Sequence, residues 1–408
     1  MEKEEYIIHR KNLVKNLENN SLVILIAPSE SEDKYIPNKN FFYATGIKED
    51  SDRVIIEKNN GKIKEYLFIK PYDPVKEKWV GRGLNKEETF SISGIENIHY
   101  LDEFTSFLDS LVNDNTTIYL DIEESGEYLS NIEQYKKLLE ISYPTCIFKN
   151  ANDLFKHART IKTKSEIEEI KKAIHITRLG IEELLKNSKD SLKEYQLESY
   201  FDQSIKYNGA NGYAFDTIAA SGVNSCCLHY SANQDTMHDN DLILFDLGST
   251  YNYYCSDISR TFPVNGHFTA RQRQIYDIVL NGQKLMFDNM KPGITQRELN
   301  QILIKYYQKE LKAIGLIKED SEVSKYYFHG VSHHMGLDCH DLCEYKALEA
   351  GNVISNEPGL YIKEEGIGIR IEDDVLITED GCINLSSEII KNPDEIEAFM
   401  KKYNKNVK

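Results

Sequence analysis

The sequence predicts an α+β protein of two domains, a smaller α/β domain over residues 1–155 and a larger α+β domain over residues 156–408. A chain of 408 residues is longer than one hydrophobic core usually organises, which favours two domains. In the second half, helix-start signals precede apolar runs at helical spacing, and strand patterns lie between and after them. Helices and strands in separate blocks are typical of an α+β fold.

The first half alternates between strand and helix patterns. Its strand-like runs lie at 22–27, 52–57, 62–70 and 117–121, and its helical runs lie near 103–112 and 130–141. The turn sequence Asn59-Asn60-Gly61 separates two of the strand-like runs, which predicts a β-hairpin. No cluster of metal ligands and no nucleophile motif occurs in this half.

The second half carries four capping-box patterns, in which a Ser or Thr precedes a Glu or Gln by three positions. They are Ser165–Glu168, Ser191–Glu194, Thr269–Gln272 and Thr295–Glu298. Asn392 followed by Pro393 predicts the start of a last helix. Strands are predicted at 241–247, 252–262, 352–362 and 367–378.

Charge and composition exclude several classes of function. The formal net charge is −17, whereas nucleic acids and anionic membranes are bound by clustered Lys and Arg, so neither is an expected partner. The N-terminus lacks the apolar region of a signal peptide, which predicts a cytoplasmic protein. Seven cysteines without a CxxC pair predict reduced thiols and no structural zinc site.

Five scattered residues are the most informative feature of the chain. They are Asp246, Asp257, His333, Glu357 and Glu372, in the contexts FDLGS, SDISRTF, HGVSHHMG, NEPGLY and RIEDDV. Four carboxylates and one imidazole are a ligand set suited to two divalent metal ions that share a site. The set predicts metal-assisted hydrolysis.

Asp246 ends the apolar run DLILFD, where an unpaired charge would be costly to bury. If the flanking strands form a hairpin with its turn between Tyr251 and Asn252, Asp246 and Asp257 lie directly opposite each other. Their Cβ atoms would then be about 4.5–5.5 Å apart. Two carboxylates at that distance require a cation between them.

The densest histidine cluster runs from His329 to His340. Gly330 and Gly336 disfavour a helix there, so a loop or a strand edge is predicted. In the run GIGIRIEDDV, alternation places Arg370 and Glu372 on one face of a strand. Asp374 shares that face, so the pattern does not separate it from Glu372 as the ligand.

At these motifs the chain resembles the pita-bread metallopeptidases, most closely the aminopeptidase P (Xaa-Pro aminopeptidase) family. The motifs that carry the resemblance are LHYSAN, FDLGS, SDISRTFPVNG, HGVSHHMGLDCHD, NEPGLYI and GIRIEDDVLIT, all in the family's order. The segment ARTIKTKSEIEEIKKA is similar to the family's entry into its catalytic domain, and PNKNFFYATG at 37–46 adds a weaker match in the first half.

The resemblance implies a pita-bread catalytic domain and hydrolysis, by a metal-bridging hydroxide, of the bond between an N-terminal residue and a following proline. Asp246 would bind one metal, Asp257 and Glu372 would bridge both, and His333 and Glu357 would bind the other. Glu357 would also handle the proton of the attacking water. The resemblance thus favours Glu372 over Asp374.

The resemblance also implies roles for the residues around the metals. His229 and His340 would stabilise the substrate carbonyl, and His329 and Arg370 would orient the substrate. Manganese is the metal implied first, although the ligand types also allow cobalt, zinc or iron. A homodimer or larger homo-oligomer is expected, with the first domain packing subunits and restricting the site to suitable peptides.

Two other functions are compatible with the same motifs. Prolidase, which cleaves only Xaa-Pro dipeptides, shares the fold and the five ligands, and Ser332 favours aminopeptidase P by a single residue. A non-catalytic pita-bread protein that acts as a binding module would generally lack part of the ligand set, which is complete here.

Overall fold

The computed structural model describes residues 1–28, 36–122 and 127–407, with the side chains of 127–131 excepted. These residues divide into two compact units, Met1–Arg159 and Thr160–Lys408. The predicted domain boundary between residues 155 and 156 falls inside the helix Asn152–Thr160.

The first unit is built on a six-stranded mixed sheet with the order β4-β3-β2-β1-β5-β6. Its strands are β1 (Ser21–Ile26), β2 (Arg53–Asn59), β3 (Lys62–Ile69), β4 (Asn97–Tyr100), β5 (Thr117–Leu120) and β6 (Ile147–Asn150). Its helices are α1 (Lys3–Leu13), α2 (Lys39–Thr45), α3 (Glu77–Val80), α4 (Lys86–Ser93), α5 (Phe104–Leu111), α6 (Glu127–Ser142) and α7 (Asn152–Thr160). This arrangement confirms the α/β prediction.

The predicted hairpin of the first unit is confirmed. β2 pairs with β3 in the register Asn59↔Lys62, and the turn residues Asn60 and Gly61 have φ angles of 50° and 73°. Two positive φ angles in succession give the turn a twist that matches the twist of the strands. The apolar side chains of the central strands are buried under α5 and α6, where they form one hydrophobic cluster with Phe104 and Leu139.

The second unit combines long helices with several small antiparallel sheets. The helices are α8 (Lys164–Asn187), α9 (Glu194–Tyr207), α10 (Ala270–Asn289), α11 (Gln296–Ala313) and α12 (Pro393–Tyr403). The first strands are β7 (Gly212–Tyr213), β8 (Ile218–Ser221), β9 (Leu242–Leu247), β10 (Ser249–Tyr251), β11 (Tyr254–Cys255) and β12 (Ile258–Pro263). The later strands are β13 (Val353–Asn356), β14 (Gly359–Ile362), β15 (Ile367–Arg370), β16 (Asp373–Ile377) and β17 (Cys382–Asn384).

Two of the four predicted capping boxes are confirmed. Thr269 and Thr295 each accept a hydrogen bond from the third helical amide, and Asn392 caps α12 ahead of Pro393. The other two predictions were wrong. α8 is capped by Thr163 with Glu166, two positions before the predicted Ser165 box.

The remaining box fails because Ser191 lies three residues before α9 begins, at a φ of 67°. Glu194, predicted to reach back to Ser191, is fully buried and instead accepts hydrogen bonds from the amide and hydroxyl of Ser221. A long-range partner therefore replaced the local one.

The predicted long strands of the second unit are interrupted where site residues occur. Short non-strand segments separate neighbouring strands at three ligands: β11 from β12 at Asp257, β13 from β14 at Glu357 and β15 from β16 at Glu372. In such a segment the backbone leaves the hydrogen-bonded pairing of the strands, so the direction of a side chain need not alternate strictly from one face to the other. Three of the five predicted ligands lie in these segments.

The predicted register between Asp246 and Asp257 was wrong. β9 pairs with β12 so that Asp246 lies opposite Ser259. The turn is Asn252-Tyr253, both with positive φ angles of 46° and 66°, one position later than expected. The shift moves the partner of Asp246 by two residues, which preserves its face and leaves Asp257 as a diagonal neighbour.

Candidate metal centre

A cavity of about 560 Å³ in the second unit contains all nine residues predicted for the site. Its wall includes Asp246, Asp257, His333, Glu357, Glu372, His229, His329, His340 and Arg370. A larger cavity of about 650 Å³ in the first unit is lined by residues such as Asp50, Tyr72 and Arg82, and no histidine or cysteine is among its described lining residues. The predicted site residues therefore share the cavity of the second unit.

His333 lies at the centre of the predicted ligand set. Its Nε2 atom is 3.3 Å from Oδ2 of Asp257, 3.6 Å from Oε1 of Glu357 and 3.8 Å from Oε1 of Glu372. Its Nδ1 atom is 3.2 Å from the main-chain oxygen of His334. A proton on Nδ1 satisfies that contact and leaves the lone pair of Nε2 directed at the carboxylates.

His333 lies in an irregular segment, as predicted, and is held there by β13. Its amide donates to Oγ of Ser355 at 2.9 Å, and the Ser355 hydroxyl donates to Oε1 of Glu357 at 3.2 Å. Ser355 is fully buried. One hydroxyl therefore positions both residues predicted to bind the same metal.

Asp246 is held by Arg370. The guanidinium donates to Oδ2 of Asp246 at 2.7 Å and to the hydroxyl of Tyr361 at 3.0 Å. The Tyr361 oxygen lies 2.9 Å from Nε2 of His329. These contacts form a continuous chain of polar groups from one predicted ligand to a predicted substrate-orienting histidine.

Arg370 and Glu372 lie on the same side of the chain, as strand alternation predicted, and they share Ser259. Arg370 Nε donates to Oγ of Ser259 at 2.8 Å, and this hydroxyl donates to Oε2 of Glu372 at 2.7 Å. Ser259 lies opposite Asp246 in the β9–β12 ladder. The observed register thus places beside Asp246 the serine whose hydroxyl contacts both Arg370 and Glu372.

The acidic run from Glu372 to Asp374 divides among three environments. Glu372 faces the cavity, whereas Asp373 is buried against Arg260 and Lys391. Asp374 accepts from the amide of Asp257 at 3.2 Å. The structure therefore places Glu372 in the cavity wall and leaves Asp374 behind it, although strand alternation alone did not distinguish the two.

Burial and mutual repulsion raise the pKa values of most of these carboxylates. The pKa of Asp246 is raised to about 8, chiefly by burial, with Arg370 opposing and Asp257 adding to the shift. Burial and the nearby Glu372 raise the pKa of Glu357 well above its usual range. A divalent cation in the cavity would favour the charged form of these carboxylates.

Asp257 and His333 form the exception. Burial acts to raise the pKa of Asp257, yet hydrogen bonds from His333 and Cys339 hold it below its usual value. Burial acts to lower the pKa of His333, but Asp257 and Glu372 raise it well above the usual range. Both pKa shifts favour an ion pair between Asp257 and His333.

The donor set fits divalent metal ions. One ligand atom each of Asp257, His333 and Glu372 lies within 4.8 Å of the others. Oδ1 of Asp246 and Oδ1 of Asp257 are buried without a hydrogen-bond partner among the described residues. Buried oxygens left without a partner are what a hard cation would satisfy.

Sequence reasoning missed four residues that shape the site. They are Ser259, Cys339, Ser355 and Tyr361, which contact predicted site residues through the hydrogen bonds of their side chains. Ser259, Cys339 and Tyr361 lie within quoted motifs, which was the available signal. Their partners depend on contacts between strands distant in sequence, which the pattern of one chain does not specify.

Models of two families match this chain. Metallopeptidase family M24 matches residues 168–379, and the N-terminal domain of aminopeptidase P matches residues 6–119. The Xaa-Pro aminopeptidase of Escherichia coli K12 is 32% identical over 98% of this chain and 98% of its own length. The chain belongs to the aminopeptidase P family of M24 metallopeptidases. This membership confirms the resemblance and the predicted fold class.

Solved structures of the family superpose over the whole chain. A Bacillus anthracis protein provisionally assigned as an aminopeptidase P has a TM-score of 0.94 and 43% identity, with 100% of both chains covered. Aminopeptidase P of E. coli with the inhibitor Pro-Leu has a TM-score of 0.90 and 31% identity, with 99% of both chains covered. Both likenesses extend across the two units, including the catalytic M24 region.

Within the part of the chain that the structure describes, no helix combines the length and the apolar character needed to cross a bilayer.

Proposed function

We propose that this protein is a dinuclear, metal-dependent Xaa-Pro aminopeptidase, which hydrolyses the peptide bond between an N-terminal residue and a following proline. The observation that carries the proposal is the convergence of all nine predicted site residues on one cavity wall. Full-length likeness to curated Xaa-Pro aminopeptidases supports the same activity over prolidase and over a non-catalytic role.

Two divalent metal ions fit the proposed ligand arrangement. Asp246 would bind one ion, His333 and Glu357 the other, and Asp257 and Glu372 both. When bound, such ions lower the pKa of water and polarise the scissile carbonyl. Manganese is the proposed metal, since carboxylate-rich sites suit hard and borderline ions.

Glu357 is proposed to accept the proton of the attacking water and to deliver it to the leaving proline nitrogen. A general base must lie within hydrogen-bond reach of the proton that it moves. The Ser355 hydroxyl bonds one carboxylate oxygen, Oε1, and so fixes the orientation of the group. The proton would therefore be received at a carboxylate whose orientation Ser355 helps to set.

His229 and His340 are proposed to donate hydrogen bonds to the substrate carbonyl as negative charge develops on its oxygen. Both side chains are exposed to the cavity that they line. His329, whose Nε2 atom contacts the Tyr361 hydroxyl, is proposed to orient the substrate together with Arg370. None of these contacts requires an N–H on the scissile bond, which suits an imide bond to proline.

A substrate panel tests the function. Metal-stripped protein is supplied with Mn²⁺, Co²⁺ or Zn²⁺ and assayed on an Xaa-Pro dipeptide, an Xaa-Pro-Yaa tripeptide and an Xaa-Ala-Yaa control. We expect the tripeptide to be cleaved after its first residue and the alanine control to remain intact. Cleavage of the dipeptide alone would identify a prolidase, and hydrolysis of neither with any metal would indicate a binding protein.

We also propose a homodimer or larger homo-oligomer, in which residues 1–155 pack subunits and restrict access, and a cytoplasmic location. The first unit has its own core and its own family match, which support a separate role for it. Light scattering on active protein is the test. A monomer with full activity would remove the oligomer from the proposal.

A further inference from the structure

A second group of potential metal ligands lies beside the proposed catalytic set. One ligand atom each of His333, Cys339 and His340 lies within 4.8 Å of the others. The His333 and His340 rings have centroids 4.1 Å apart. The group differs chemically from the carboxylate set because it contains two nitrogen donors and a sulfur.

Asp257 lies beside two members of this group and offers a fourth donor. The Cys339 thiol donates to Oδ2 of Asp257 at 2.8 Å, and the same oxygen is 3.3 Å from Nε2 of His333. Four donors, two imidazoles, one thiolate and one carboxylate, match the number and kind of ligands found in tetrahedral zinc sites. The absence of a CxxC pair argued against zinc in the sequence, but these ligands are brought together by folding.

We propose that His333, Cys339 and His340, with Asp257, form a second metal site that selects thiophilic ions such as Zn²⁺ or Cd²⁺ and excludes the catalytic metals while it is filled. Sulfur ligands favour soft and borderline ions, whereas oxygen ligands favour Mn²⁺ and Mg²⁺. The thiol proton leaves to solvent when the ion binds.

Competition follows from the geometry of His333. Its Nδ1 atom faces the main-chain oxygen of His334, so a single lone pair, on Nε2, is available for a metal. An ion that takes this lone pair together with Cys339 removes it from the catalytic set. Asp257 is shared in the same way, so an ion in the second site expels the metal that His333 would otherwise hold.

The first experiment needs no catalytic activity. Metal-stripped full-length protein is titrated with Cd²⁺, and the thiolate-to-cadmium charge-transfer absorption is recorded. We expect one equivalent of this absorption in the wild type and its loss in Cys339→Ser. Cys382→Ser is the matched control, because Cys382 is also half-buried in the second unit but lies outside the cavity. Equal absorption in Cys339→Ser and the wild type would overturn the proposal.

A second measurement tests the competition. Protein loaded with Mn²⁺ is titrated with Zn²⁺, and released Mn²⁺ is followed by its electron paramagnetic resonance signal. We expect Cys339→Ser to require at least roughly tenfold more Zn²⁺ for the same release, since even residues that only support a ligand change metal affinity by about 10–100-fold. Unchanged release would contradict the shared site.

The competition rests on the proposed metal centre, whereas the cadmium absorption does not. Protein that shows the Cys339-dependent absorption but cleaves no proline peptide would support the second site and overturn the proposed function. Protein that cleaves proline peptides without this absorption would support the proposed function and overturn the second site. The two proposals therefore fail separately.

Discussion

At the scale of single residues, the site depends on carboxylates whose orientation is set by their neighbours. Glu357 shows this dependence, since its Oε1 atom accepts from Ser355 and lies 3.6 Å from Nε2 of His333. Both neighbours keep the side chain directed into the cavity. A substitution that removes the charge of Glu357 but keeps its shape therefore tests its catalytic role separately from its role in packing.

Glu357→Gln is expected to fold normally and to lose most of its activity. The amide keeps the shape of the side chain, but it is a much weaker base and a weaker metal ligand than the carboxylate. We expect kcat/KM to fall by roughly 10²–10⁴-fold, the usual contribution of a general acid–base. The exposed Glu349→Gln is the control. Near-native turnover in Glu357→Gln would disprove the proposed role.

Asp52 provides a residue-scale prediction away from the site. Burial raises the pKa of Asp52 to about 7, with Lys70 opposing and Glu49 adding to the shift. A carboxyl whose folded pKa lies above its unfolded value favours folding while it is protonated, so this contribution is lost as the pH rises from about 4 to about 7.

Asp52→Asn is therefore expected to stabilise the protein at pH 8 relative to the wild type, with a smaller difference as the pH approaches 4. Thermal unfolding midpoints at both pH values measure this difference in stability. Glu96→Gln is the control, because Glu96 is exposed. If the difference in unfolding midpoint between the variant and the wild type is the same at every pH, the raised pKa of Asp52 is not the cause.

At the scale of elements, the second unit is held by a buried ionic network between β12 and β16. The guanidinium of Arg260 donates to Asp373 at 2.6 Å and to the main-chain oxygens of Ser259, Glu372, Ile389 and Ile390. Arg260 is 1% exposed. The network therefore fixes the chain that carries both Ser259 and Glu372.

Arg260→Gln is expected to destabilise the protein strongly, because it removes several hydrogen bonds and weakens the neutralisation of a buried carboxylate. Breaking a buried pair typically costs about 3–5 kcal/mol. Arg271→Gln breaks a more exposed pair with Glu365 and should cost about 1 kcal/mol or less. Unfolding in urea compares the two. Similar losses in both variants would exclude the network as the cause.

Helix starts show how far element prediction went. Thr269 and Thr295 were correctly predicted because the capping box is a local structure, complete within four residues. The Ser191 box failed because Glu194 found its partners at Ser221, far along the chain. The Ser165 box failed because a neighbouring local box, Thr163 with Glu166, caps α8 instead. Local signals therefore failed where either a distant partner or a second local cap competed.

At the scale of the whole molecule, bound metal and folding are linked. The proposed ligands come from four separate parts of the second unit, and an ion that binds only the folded arrangement stabilises it. We expect Mn²⁺ at 100 times its Kd to add about 2.7 kcal/mol of stability. Calorimetry with and without Mn²⁺ measures the shift.

The matched control for this prediction is Asp257→Asn, which removes a carboxylate proposed to contact both ions. Its unfolding midpoint should respond to Mn²⁺ much less than that of the wild type. An equal response in both proteins would place the binding outside the proposed centre.

The sequence by itself determined the family, the α+β fold and the nine residues that converge on the cavity. It did so because ligand types and their short motifs are local properties of the chain. Strand alternation likewise placed Arg370 and Glu372 on one side without any knowledge of their neighbours.

The tertiary structure decided what depends on distant partners. The turn at Asn252-Tyr253 set Asp246 opposite Ser259 instead of Asp257. Glu372, between β15 and β16, lines the cavity, whereas Asp374 does not. Folding also brought Cys339 to Asp257. Each outcome depends on long-range pairing, whose register and contacts are set by the packing of the entire unit and not by the order of residues within one motif.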